Sequence, residues 1–321
     1  MPEALAEGLR SRLIWREMWE VQHCRLLRQV LAELDRAGLQ PLLMKGTALA
    51  YSHYGNPAVR ARVDSDILIC EGGRRRAAKA LGRIGCATSL IPGDTGISEQ
   101  IFMLNDLSGK SHDFDLHWRL NNAAVIAQLF DHRDLFDRSL AVPELGPHAR
   151  RLSDLDALLY ACVHRRFHLL ADARPGQPPL EKYIWLLDIK HLYEGLTVSE
   201  KSDFVALSVG NGIAGICAEA LRSCRDFLRL DVNHGTLTTL DAQETGEIEK
   251  YLNASYLQKH LMNLRHQTGL SGKMRYLLEV LFPHPDFLRE RFATGRLDIA
   301  PMLYLRRLVQ GFRILMSGRG S

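Results

Sequence analysis

Apolar residues recur with different periods in the two halves of the chain. Across residues 15–37, Leu26, Val30, Leu31 and Leu34 return at three- and four-residue spacing, which predicts a helix that stops at Gly38. The short apolar run 41–44 reads as a strand, Lys45-Gly46-Thr47 as a tight turn, and residues 48–54 as a helix. After a loop over 55–60, residues 64–70 predict a second strand, which Gly72 and Gly73 break before a basic helix over 74–81. Three more strands are expected at 87–91, 99–104 and 112–118. From about Asn121 the pattern is helical, with helices expected at 153–167, 180–193, 213–228, 247–264, 273–281 and 301–315. Residues 172–179, rich in proline and glycine, form the clearest loop signal of this half. No internal repeat is visible. The expected fold class is therefore α+β, with a mixed sheet and helices over residues 1–120 and an all-helical region over 121–321.

Composition narrows this picture. Of the 321 residues, 46% are hydrophobic and 24% charged, as in soluble globular proteins. No apolar run is long enough for a membrane span, and the first residues lack a basic-then-apolar leader, so a cytoplasmic protein is expected. The six cysteines include no Cys-x-x-Cys pair and read as small buried residues rather than disulfides or a zinc site. A net charge of +4 permits an anionic substrate without arguing for nucleic acid.

The chemistry concentrates in Asp64-Ser65-Asp66. Side chains two apart on a strand share a face, so both carboxylates point into one site. Paired acids raise each other's pKa unless a cation neutralises them. Mg²⁺ suits such a pair, because it takes one or two carboxylates and completes its shell with water and phosphate oxygens. Upstream, glycine at Gly46 allows close backbone approach, and the following helix N-terminus offers free N–H groups to a phosphate. An ordinary strand-to-helix turn also welcomes glycine. Downstream, Asp113 and Asp115 again place acids on one strand face, and a third carboxylate is what two-metal phosphoryl transfer requires.

These residues carry a resemblance. The run from Leu43 through Lys45-Gly46-Thr47 to Tyr54, then Arg60 and Asp64-Ser-Asp-Ile-Leu68, resembles the uncharacterised nucleotidyltransferase family of the DNA polymerase β-like superfamily. Asp115-Leu-His-Trp118, the helix bearing His164 and His168, Trp185-Leu-Leu-Asp188, and two C-terminal stretches beginning at Phe282 and Tyr304 are similar to later motifs of that family. The resemblance implies a polymerase β-like catalytic domain, a nucleoside triphosphate donor with ATP as first choice, and Mg²⁺ or alternatively Mn²⁺. Asp64, Asp66 and Asp115 are the expected metal-binding and catalytic acids; Asp115 is preferred over Asp113 because it directly precedes Leu-His-Trp. Lys45, Gly46, Thr47 and Arg60 are the expected nucleotide-binding residues. The family supplies no acceptor. Its association with peptide natural products, including lasso peptides, and with surface saccharides suggests a small molecule, peptide or saccharide ahead of RNA. Gly46-Thr47 departs from the Gly-Ser common in the superfamily but keeps the hydroxyl.

Alternatives stand beside each reading. Lys45 serves equally as a solvated cation, and Arg60 and Arg62 as ion-pair partners of Asp64 or Asp66. His164 and His168 have zinc-compatible spacing, yet they read more simply as buried histidines positioning the helical half, with Asp188 as a partner. The apolar side of the C-terminal helix (Met302, Leu305, Leu308, Val309, Phe312, Leu315) is expected to pack on the bundle. Two rival functions remain: a toxin-like nucleotidyltransferase modifying tRNA or protein, and an inactive nucleotide-binding scaffold.

Overall fold

The computed structural model describes residues 3–88, 98–171, 180–282, 288–289 and 300–316. The loop expected at 172–179, the end of the strand expected at 87–91, and most of the stretch beginning at Phe282 lie outside these residues.

Helix α1 (Glu3–Arg36) starts well before the predicted span. Its C-terminal half buries Leu26, Leu27, Val30, Leu31 and Leu34, and this face anchors it to the sheet. It stops because Gly38 takes φ +68, and Leu39 N–H then caps the Leu34 carbonyl at 3.1 Å. Seven strands follow: β1 (Leu42–Leu43), β2 (Asp64–Leu68), β3 (Ala87–Thr88), β4 (Glu99–Asn105), β5 (Ser111–His117), β6 (Leu140–Ala141) and β7 (Arg150–Arg151). They form one mixed sheet in the order β3-β4-β5-β2-β1-β7-β6. β2 runs parallel to β5 and antiparallel to β1, while β1 runs parallel to β7. The sheet thus draws on residues 140–151, inside the region expected to be all-helical; these two-residue strands are too short to show an alternating pattern.

Between the strands lie α2 (Lys45–Ala50) and α3 (Arg74–Arg83). Residues 45–47 are not a separate turn before a helix. Met44 is extended, Lys45 takes φ +50, and α2 begins at Lys45 itself. After β5 come two short helices, α4 (Ala124–Ala127) and α5 (His132–Asp137). Then α6 (Asp154–Ala171), α7 (Tyr183–Gly195), α8 (Val198–Gly210), α9 (Ala214–Leu228), α10 (His234–Asp241) and α11 (Glu247–Asn253) build a helical core. The helix expected at 247–264 is two helices, because Ser255 caps α12 (Tyr256–Arg265) in a capping box with Gln258. The chain continues into α13 (Gly269–Leu281) and α14 (Ala300–Met316). On α14, Leu303 is buried but Met302, Leu305, Leu308 and Val309 are exposed, so the expected packing of this face does not occur among the described residues.

The two halves meet along α2. Ala48 belongs to the core shared by α1 and the sheet, while Leu49 belongs to the helical core. A third cluster joins Met44 and Leu68 of the sheet region to Leu152 and Tyr160 at the start of the helical half. No helix among the described residues is long and apolar enough to cross a membrane.

Candidate active site

The register of β2 against β5 sets Asp64 beside Asp113 and Asp66 beside Asp115. Alternate residues point the other way: Ser65, Ile67, Phe114 and Leu116 are fully or nearly fully buried. Asp64, Asp66 and Asp115 border a cavity of about 680 Å³ between the sheet and α6–α7, whereas Asp113 does not line it. Lys45, Gly46 and Arg60 line the same cavity; Thr47 does not.

The three acids are unequally neutralised. Lys45 Nζ donates to Asp66 Oδ1 at 2.6 Å, and His117 Nε2 lies 2.9 Å from the same oxygen. Burial alone would raise the Asp66 carboxyl, but Lys45 and His117 more than offset it and hold the group well below the usual carboxylate range. Asp115 has no such partner among the described residues. Burial, then the negative charges of Asp66 and Asp64, push it up to about 7. Asp64 is raised for the same two kinds of reason, burial first and Asp66 second. Burial works against the Lys45 ammonium, yet Tyr160 and Asp66 keep it charged well above its ordinary range. A lysine at φ +50 is locally unfavourable by about 1 kcal/mol or more, and its ion pair with Asp66 helps hold it there.

Among the described residues, no three His, Cys, Asp or Glu side chains stand together as a ready-made metal cage. The donor set still fits Mg²⁺: the acids are hard oxygen ligands, two of them under-neutralised, facing a cavity that leaves room for phosphate oxygens and water.

The residues around the acids are largely committed to holding one another. Thr47 Oγ1 bonds Ser65 Oγ at 2.9 Å and accepts from Arg62 Nε at 3.1 Å, tying α2 to the back of β2. Arg62 also grips Glu20 of α1 at 2.6 Å. Arg60 pairs with neither Asp64 nor Asp66. It forms a bidentate bond to Asp188 of α7, at 2.8 and 2.6 Å, and Tyr54 donates to the same carboxylate at 2.8 Å. Asp188 is therefore the partner of Arg60 rather than of a histidine. A Cβ on Gly46 would stand 3.3 Å from this guanidinium, so glycine here makes room for Arg60.

Across the cavity, His164 and His168 of α6 and Trp185 of α7 form an aromatic wall, with ring centroids 4.4 to 5.7 Å apart. Arg165 sits between them in sequence but faces away, bonding Glu219 Oε2 at 2.6 Å and also Glu181, which fixes α6 against α9 and the start of α7.

A family model described as an uncharacterised nucleotidyltransferase matches residues 1–229. The chain belongs to this uncharacterised nucleotidyltransferase family. No curated protein matches it. Among solved structures, an antigenic nucleotidyltransferase-like protein from Paracoccidioides brasiliensis is similar at 13% identity, over 69% of this chain and 93% of that one, with a TM-score of 0.40. That likeness is too weak to carry an argument. The family match spans the sheet, the cavity and α6 to α9, so every acid and every wall residue named above falls within it.

Several cavity residues of this nucleotidyltransferase family member were not singled out from sequence. Glu99 of β4 lies across from His117, with Oε2 3.3 Å from His117 Nδ1 but outside hydrogen-bond geometry. Nothing local in the sequence announces that register. Trp15, Trp19 and Glu20 of α1 also line the cavity, and their i, i+4 and i+5 spacing was the available signal.

Proposed function

We propose that this protein transfers a nucleoside monophosphate from an NTP to an acceptor hydroxyl or phosphate, with ATP the first donor to try. The single observation that supports this reading is the convergence of Asp64, Asp66 and Asp115 on one cavity beside the N-terminus of α2. Asp64, Asp66 and Asp115 are the residues that would hold Mg²⁺, or Mn²⁺ in its place. Such an ion supplies neutralisation of the triphosphate charge. Lys45 adds a fixed positive charge at the phosphate end. Asp115 would help activate the acceptor; in the metal-free protein its raised carboxyl marks an unmet demand for a cation. Catalysis would rest on positioning and on charges arranged before the substrate arrives. The acceptor is expected to be a small molecule, peptide or saccharide rather than RNA; lasso-type peptides are one class to test.

The deciding experiment incubates the full chain with each labelled NTP, Mg²⁺ and a lysate of its host, and follows pyrophosphate release and label transfer. Asp66→Asn should lower release by at least about 10³-fold, the loss typical of removing a main contact to transition-state charge. Wild-type-like release by a folded Asp66→Asn protein would overturn the assignment. NTP binding without transfer to any fraction would instead favour a nucleotide-binding scaffold, and labelled tRNA would favour the toxin-like reading.

A further inference from the structure

The wall opposite the acids contains a polar group with no hydrogen-bond partner among the described residues. His164 is half-buried and lines the cavity. Its ring packs against Tyr160, His168 and Trp185, with centroids at 5.8, 4.4 and 5.7 Å. Neither ring nitrogen forms a hydrogen bond with another described residue. Burial, then the nearby Lys45 ammonium and His168, lower its pKa well below the ordinary histidine range, so the ring is neutral and offers one donor and one acceptor. Its ring nitrogens are not among the sealed, unpartnered side-chain atoms of the described residues, so they are open to the cavity. Their partner comes from what fills the cavity, water in the free protein or a ligand that displaces it.

Two features say what that partner is. The wall is aromatic, and Trp185 leaves part of its surface on the cavity while Lys182 Nζ stands 4.7 Å from its ring centroid. A planar ring with a mixed donor–acceptor edge would stack on such a surface and bond to a neutral imidazole. The sheet order then separates the two ends of the site. Asp115 lies on β5, on one side of β2, while Lys45 follows β1 on the other side, next to β7, which leads into α6. The strongest outside charges on His164 are Lys45, His168 and Asp66. The wall therefore faces the Lys45 end of the cavity.

We infer that His164, backed by His168 and Trp185, is the site that reads the nucleobase of the donor NTP, through stacking and a hydrogen bond to the base edge. This rests on the nucleotidyltransferase reading above. It assigns base selectivity to α6 and leaves phosphate binding to Lys45 and the acids.

Calorimetry with Mg²⁺ and each of ATP, GTP, CTP and UTP, alongside inorganic triphosphate, tests it on the full chain. The wild type should prefer one base by about tenfold, the scale of one well-formed hydrogen bond in a desolvated site. His164→Ala and His164→Phe should level the four affinities to within about twofold, while affinity for inorganic triphosphate stays at the wild-type value. His164→Gln, which keeps a donor and an acceptor, should retain part of the preference and guards against a simple folding defect. Unchanged ratios in both His164→Ala and His164→Phe overturn the inference, as does a wild type that binds all four bases equally. A parallel fall in triphosphate affinity also overturns it, since the wall would then be structural. If the wild type binds neither NTP nor inorganic triphosphate, the nucleotidyltransferase reading itself fails, an outcome distinct from the others.

Discussion

Strands β2 and β5 present two faces, and polar groups are treated in opposite ways on them. Behind the strands, toward α1, Ser65 Oγ meets His23 Nε2 at 2.6 Å and Thr47 Oγ1 at 2.9 Å. His23 Nδ1 continues to His112 Nδ1 at 3.1 Å, and His112 Nε2 to Asp106 Oδ2 at 3.3 Å. His23 is also stacked between Trp19 and Phe114, with centroids at 4.3 and 5.2 Å. That network is closed, buried and partnered from end to end. On the front, Asp66 is held by Lys45 and His117 while Asp64 and Asp115 are under-supplied. A face whose polar groups are all satisfied is built for rigidity. A face that keeps carboxylates short of partners carries an unmet electrostatic demand, and such demands cluster at functional sites. The difference is one residue of pleat: Ser65 looks back, and its neighbours look forward.

Removing the centre of the back network is the strongest way to test this contrast by stability. His23→Ala would take one of two partners from each of Ser65 and His112 and open a void between two aromatic rings, at a cost of about 3–4 kcal/mol. His23→Phe keeps the stack but loses both hydrogen bonds, and should cost about 1–3 kcal/mol. Urea unfolding measures both, and the folded fraction should still bind Mg²⁺-NTP. If stability is unchanged, or if NTP affinity falls while stability holds, the back face is not the scaffold described here.

The front face should respond with the opposite sign. The Asp115 carboxyl sits near 7 in the folded protein against an ordinary value of 3.8. Below about pH 4 the group is protonated whether folded or not and contributes nothing. Between about 4 and 7 the folded protein keeps a proton that the unfolded chain has released, so stability falls as pH rises, and the full penalty is present above about 7. Asp115→Asn removes that penalty. Without metal, the variant should gain about 1–2 kcal/mol over wild type at pH 8 and nothing at pH 4; solvent screening of the partly exposed carboxylate keeps the gain below what the full shift implies. Turnover should collapse in the same variant. Equal stability differences at both pH values in chelator-treated protein would show that the acids do not repel one another as argued.

How far this contrast could be read from sequence depends on the range of the signals. The i, i+2 spacing of Asp64 and Asp66 fixes their shared face, and the same parity puts Asp115 and His117 together. The strand assignments around them hold because apolar alternation is local. What parity leaves open is which strand lies beside which: Asp66 against Asp115, and Glu99 across from His117, are tertiary pairings. Arg60 and Asp188 are 128 residues apart, and their bond redirects an arginine expected at phosphate or at the neighbouring acids. Helix α8 was missed although Thr197 and Glu200 form a capping box, a signal that stands in the sequence as Thr-x-x-Glu. On α14 the apolar stripe is real, yet a stripe says only that a face wants cover, and Leu305 and Leu308 remain exposed.

The smallest expected effect is the sharpest check on the two-face picture. Asp113 and Asp115 belong to the same strand and share its parity, so sequence alone treats them alike. The structure separates them by position along the strand. Asp115 stands beside Asp66 and borders the cavity, whereas Asp113 stands beside Asp64, does not line the cavity, and has Ser111 Oγ at 3.4 Å from its Oδ1. Asp113 therefore adds to the negative field without touching the reaction space. Asp113→Asn should change unfolding free energy by no more than about 0.5 kcal/mol, as for a surface substitution. Pyrophosphate release should stay within about threefold of wild type, because the charge removed lies outside the cavity and is partly screened by solvent. The measurement sets Asp113→Asn beside Asp115→Asn under identical single-turnover conditions. A collapse in the Asp113 variant with near-normal release in the Asp115 variant would move the acceptor end of the site two residues toward the N-terminus of β5. The aromatic wall would then stand opposite the wrong acid, and the division of the cavity into a donor side and an acceptor side would have to be redrawn around Asp64 and Asp113.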